Sequence, residues 1–145
     1  MSEYKTVLLA IDLSEEAVQV ANKAHSLVSA GEVTLHVIHV IEPLSFAYGG
    51  DIPMDFSGIQ DEIQKQAKSQ LSTFAAKYDI SPEHQHIVIG RPETEIHAVA
   101  EELGADLVVV GSHGRHGLAL LLGSTANGVL HGAGCDVLAV RVEDE

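Results

Sequence analysis

The sequence predicts an α/β fold on a parallel sheet, and three observations carry that reading. Five short runs rich in Val, Ile and Leu alternate with segments whose apolar residues recur at helical spacing, giving the order β-α-β-α-β-α-β-α-β. The runs are continuously apolar, as in strands covered on both faces, rather than alternating. Right-handed crossovers then place helices on both faces and make the fold doubly wound. No repeat, low-complexity stretch or linker divides the 145 residues, so one domain spanning 1–145 is expected. A chain of that length buries roughly 68–70% of its unfolded surface and needs no disulfide or metal to fold.

Each element has its own local reason. Tyr4 to Ile11 is a short apolar run that ends at Asp12, a buried strand. Ser14 suits an N-cap, and Ala17, Ala21, Ala24 and Val28 mark one face of a helix that Gly31 stops. Val33 to Ile41 is β-branched enough to favour a second strand. Residues 42–57 hold Pro43, Gly49, Gly50 and Pro53 without periodicity and read as a long loop. From Ile59, the positions Ile63, Ala67, Leu71, Phe74 and Tyr78 continue in steps of three and four, one face of a helix about five turns long. Ser81-Pro82 interrupts, and His86 to Ile89 is a third strand. Pro92 opens a helix carrying Ile96, Val99 and Leu103, with Gly104 as its stop. Asp106 to Val110 and Asp136 to Val142 complete the strands, and Ser124 can cap a short helix reaching His131.

Composition narrows the partners. Eight Lys and Arg stand against 21 Asp and Glu, a net charge of −13, and the basic residues form no stripe that would reward nucleic acid or an anionic membrane. No apolar run exceeds five residues, as at Leu118 to Leu122, far short of the roughly 18 of a membrane span. The amino end lacks a basic region followed by an apolar stretch, so a cytoplasmic location is expected. The single Cys135 precedes a buried strand and reads as an inert small hydrophobe. His36 and His39 are three apart on a strand and so face opposite ways, while His84 and His86 share a side without a third ligand; no metal site is expected.

Glycine is the least evenly spread residue. Of 13, eight fall between 104 and 134, and the segment runs from a strand end through Gly111-Ser-His-Gly114 and Gly117 to Gly123-Ser124-Thr125 at a helix start. Glycines let backbone approach a ligand closely, and a helix start with hydroxyls offers donors to phosphate. An ordinary turn-rich loop with a Ser N-cap is the plainer reading of the same residues. Neither a P-loop nor a Rossmann fingerprint is present.

Gly111, Gly114, Gly123 and Ser124, with Ala10-Ile11-Asp12, His39-Val40-Ile41 and Val137 to Val140, resemble the universal stress protein A family across nearly the whole chain. Its nucleotide-binding members carry G-x-x-G, nine residues, then G-[ST]. Here Arg115 to Leu122 supplies eight residues, one fewer than that pattern. The resemblance implies a five-stranded parallel sheet in the order 3-2-1-4-5, with ligand at the switch point between the first and fourth strands. It implies Ala10, Asp12 and Val40 on the adenine and ribose side, Gly111, Gly114 and Arg115 along the ribose and phosphates, and Gly123, Ser124 and Thr125 at the outer phosphates. The ligand implied is ATP with Mg²⁺, held as a regulator with little or no hydrolysis. A homodimer through the fifth strand, Asp136 to Val142, is implied as well. Two alternatives stand beside this reading: a dimeric interaction module of the same family without nucleotide, and an ATP-cleaving or adenylyl-transferring enzyme on a related fold.

Overall fold

In the computed structural model, five strands lie parallel in the order β3-β2-β1-β4-β5. The structure describes residues 4–13, 17–28, 33–41, 57–113, 129 and 134–142. In chain order the elements are β1 (Thr6–Ala10), α1 (Ala17–Val28), β2 (Thr34–Ile41), α2 (Ser57–Ala76), a 3₁₀ turn (Pro82–His84), β3 (Gln85–Ile89), α3 (Pro92–Leu103), β4 (Leu107–His113) and β5 (Asp136–Val142). This is the predicted doubly wound architecture.

β1 occupies the centre because it can be buried on both faces. Val7, Leu8 and Leu9 are wholly inaccessible, and alternation sends Leu8 to one side of the sheet and Val7 and Leu9 to the other. Fully burying one such side chain contributes about 1.5–3 kcal/mol. On the first face, Ala17, Ala21 and Ala24 of α1 and Leu71, Phe74 and Ala75 of α2 pack with Val7, Leu9, Val37 and Val109. The alanines keep α1 close to the sheet. On the second face, Ile96 and Ala100 of α3 and Val129 meet Leu8, Ile38, Val108 and Val110.

α3 follows its sequence signals at both ends. Pro92 takes the first turn, where its missing N–H costs nothing, and Gly104 adopts φ 67° after Leu103. The N–H of Gly104 bonds Glu101 O at 3.1 Å and that of Ala105 bonds Ala100 O at 2.9 Å, a Schellman stop.

The structure departs from the sequence pattern at three places. β4 runs on to His113, so Gly111, Ser112 and His113 pair with Val140, Arg141 and Val142 instead of opening a loop. Ladder hydrogen bonds involve only the backbone, which is why a strand can continue past the apolar run that announces it. Ile59, expected on the inward face of α2, is 54% exposed, and the fully buried anchors begin at Ala67. Tyr78 lies beyond the helix, where its hydroxyl donates to Asn22 Oδ1 at 2.9 Å and its ring touches Phe74. The Ser14 cap, the Gly31 stop and loop 42–56 lie outside the described residues. So does the expected helix from Ser124 to His131, apart from Val129, which is helical and fully buried.

Candidate functional site

Chain direction creates the site. From β1 the chain winds outward through β2 to β3, then returns across the sheet to β4 beside β1. α1, which follows β1, packs on the first face and Val129, which follows β4, on the second, so the chain leaves the carboxyl ends of these adjacent strands toward opposite faces, the switch point at which folds of this kind open a crevice.

Four predicted site residues are described, and the fold gathers them at that end of the sheet. Ala10 closes β1 and is 8% exposed, in register with Ile38. Val40, half-buried near the end of β2, packs on the same cluster as Ala10. Asp12 is exposed just past β1, after Ile11 has donated its N–H to Ile38 O at 3.1 Å. Gly111 lies two residues beyond Val109, whose partner in β1 is Leu9, and pairs with Val140 on the other side. Gly114, Arg115, Gly123, Ser124 and Thr125 lie outside the described residues.

Three supports of this crevice were not legible in the sequence. The Nδ1 of His39 bonds the carbonyl of Ile11 at 3.0 Å, capturing an acceptor where the β1 ladder ends. Leu13 takes φ 61°, a left-handed conformation uncommon outside glycine that costs about 1–2 kcal/mol. Backbone held in such a region clusters at functional turns, and here it follows Asp12 directly. Farther along, His97 Nε2 on α3 bonds Val129 O at 2.8 Å and ties the segment after the glycines to the helix. The H-x-x-H pair at 36 and 39 was visible, but the carbonyl that His39 reaches is 28 residues away in sequence.

Other groups are less suited to chemistry at the crevice. Burial, followed by the charges of Asp136 and Asp106, pushes the Cys135 thiol up and away from thiolate reactivity. Among the described residues no three His, Cys, Asp or Glu side chains are set to hold a metal ion, and no helix is long and apolar enough to cross a membrane. A groove of about 820 Å³ runs between α2 and the 3₁₀ turn with β3, lined by Asp61, Glu62, Lys65, Lys68, Pro82 and Ile87. It lies at the β3 edge, away from the switch point.

The fold defines a class: a doubly wound α/β protein with its topological switch point where β1 and β4 meet. Comparison gives the class its family, because residues 3–141 match the model of the universal stress protein family, and the chain belongs to that family. It is 41% identical over 147 residues to universal stress protein A homolog 2 of Coxiella burnetii, covering 99% of both chains. The fold matches the universal stress protein UspA from Lactobacillus plantarum with a TM-score of 0.75 at 21% identity, over 97% of this chain and 100% of that one. It also matches a universal stress protein solved in complex with cAMP, with a TM-score of 0.62 at 24% identity, over 96% and 98% of the two chains.

Proposed function

We propose that the chain binds ATP with Mg²⁺ in the crevice between β1 and β4, as a regulatory ligand hydrolysed slowly or not at all. In this reading it acts in the cytoplasm as a single-domain homodimer. The observation that carries it is the convergence of Ala10, Asp12, Val40 and Gly111 on one end of three adjacent strands. The residues suit a nucleoside: Ala10 and Val40 supply an apolar floor, and Asp12 brings a carboxylate that can accept bonds from ribose hydroxyls. Gly114, Arg115, Gly123, Ser124 and Thr125 complete the phosphate side in the motif order of the family. Mg²⁺ would be held largely by the phosphates and water, since this ion keeps several waters and takes few protein ligands. The cAMP complex of a related universal stress protein supports an adenine nucleotide as the ligand class.

Asp12-Leu13-Ser14, after the first strand, offers no Lys or His to stabilise charge at the phosphates, which favours a binder over an ATP-cleaving enzyme. The eight-residue link from Arg115 to Leu122 favours a second reading, a dimeric interaction module without nucleotide. Chromatography of nucleotide released from the denatured purified protein separates the readings. Unhydrolysed ATP near one per chain, lost in Gly114→Val, is the expected result. No nucleotide in either protein, together with no heat of ATP titration, would point to the module, and rapid release of ADP would point to the enzyme.

What supports the dimer is β5, an edge strand whose outer backbone groups call for a partner or cover. Light scattering at tens of micromolar is expected to give the mass of two chains. A monomeric mass removes the dimer without touching the nucleotide proposal.

A further inference from the structure

Far from the crevice, toward the amino ends of β2 and β3, three imidazoles meet on one face of the sheet. His36 is the only polar side chain among the described residues that is buried, at 8% exposure, and it lies level with Leu8 of β1. The pairing of Val37 with Gln85 and Ile38 with His86 leaves His84 level with His36 and His86 two residues further along β3. His36 Nδ1 and His86 Nε2 are 3.0 Å apart, one donating to the other, with ring centres 5.2 Å apart. The ring of His84 is 4.3 Å from that of His36, centre to centre, and its Nδ1 is 3.2 Å from Ser81 Oγ, which also reaches Glu83 at 3.4 Å.

We propose that His36, His84 and His86 form an acid-sensitive latch that holds β3 and its 3₁₀ turn on β2 near neutral pH and releases that edge first in mild acid. The geometry sets the rule. A bond between two imidazole nitrogens needs one unprotonated acceptor, so it is lost when both rings become cations. The third ring, tilted at 53° against the buried one, adds repulsion when it too is charged. Against three imidazoles the surrounding elements bring one carboxylate to His86, Glu102 of α3, and the Glu83 carboxylate on the far side of Ser81. β1 presents Leu8, and α2 packs with Val37 on the opposite face. β3 has a single strand neighbour, so it can open without unfolding β1 or β4.

Burial first, then the charges of His84 and His86, hold His36 at about 4. Burial and His84 also lower His86, opposed by Glu102. A base held below its ordinary value of about 6.5 is protonated first in the opened state. Latch strength is therefore complete above about 6.5 and declines as the pH falls toward 4. His36 alone then weakens closing roughly 30-fold by pH 5.

Hydrogen exchange of the full chain, corrected for intrinsic rates, tests this at pH 7.5 and 5.0. Protection of Gln85–Ile89 is expected to fall at least tenfold more than that of Leu107–Val110, and His36→Leu is expected to abolish most of the difference. The half-buried His84→Gln is expected to reduce it severalfold and decides the matter if His36→Leu does not fold. Parallel loss in β3 and β4, or an unchanged β3 response in the variant that folds, would overturn the latch. The proposal is independent of any nucleotide at the other end of the sheet.

Discussion

Asp106 ties three strands together at the amino edge of the sheet. Its Oδ2 accepts the N–H groups of Lys5 at 2.7 Å and Thr6 at 2.9 Å, its own N–H donates to Thr6 O at 2.8 Å, and its carbonyl receives Asp136 N at 3.3 Å. The bonds from Lys5 and then Thr6 hold its carboxyl below the usual carboxylate range. A carboxyl depressed in this way stabilises the fold above its unfolded value and loses that contribution as pH falls through the folded one. Asp106→Asn is therefore expected to lower the urea midpoint at pH 7, with the gap to the wild type closing as the pH is taken below the carboxylate range. A gap of constant size across that range would show that the charge is not what matters. Nothing in Asp106 as a sequence letter announces this role, because its partners lie 100 and 101 positions away. The same holds for His36 and His86, 50 positions apart, which only the β2–β3 register brings together.

Elements differ in how openly the sequence declares them. α3 was legible to the residue, because Pro92 and Gly104 fix backbone conformation by covalent structure alone. β5 matched its predicted bounds for a related reason, the Val and Leu run closing at Val142. α2 was legible as a helix but not in depth: periodicity names a face without saying how far along it the sheet extends. Two substitutions measure that difference by urea unfolding. Leu71→Ala, at a site 1% exposed, is expected to cost about 2–5 kcal/mol. Ile59→Ala, at 54% exposure, should stay within about 0.5 kcal/mol; equal costs would mean that Ile59 is covered. At the end of α3, a Cβ on Gly104 would meet nothing within 4 Å, so the penalty of Gly104→Ala is purely conformational. It should be about 1–2 kcal/mol by the same measurement, with Gly104→Asn costing less. Equal costs for the two replacements would contradict a left-handed stop.

For the molecule as a whole, topology positions the candidate site. The winding order puts Asp12 and Gly111 beside each other although 98 residues separate them (111 − 12 = 99 positions). Their types were legible from the glycine pattern and the first-strand ending, and their meeting place followed once the strand order was known. The histidine cluster sits toward the other end of the same sheet, so the two proposals can succeed or fail separately. The most direct measurement is thermal unfolding with and without millimolar Mg²⁺-ATP, on the wild type and Gly114→Val. A ligand at 100 times its Kd stabilises the native state by about 2.7 kcal/mol, which at roughly 2–4 °C per kcal/mol for a chain of this size raises the midpoint by several degrees. That rise is expected in the wild type and not in Gly114→Val. An unmoved wild-type midpoint, or an equal rise in both proteins, would contradict nucleotide binding at the switch point.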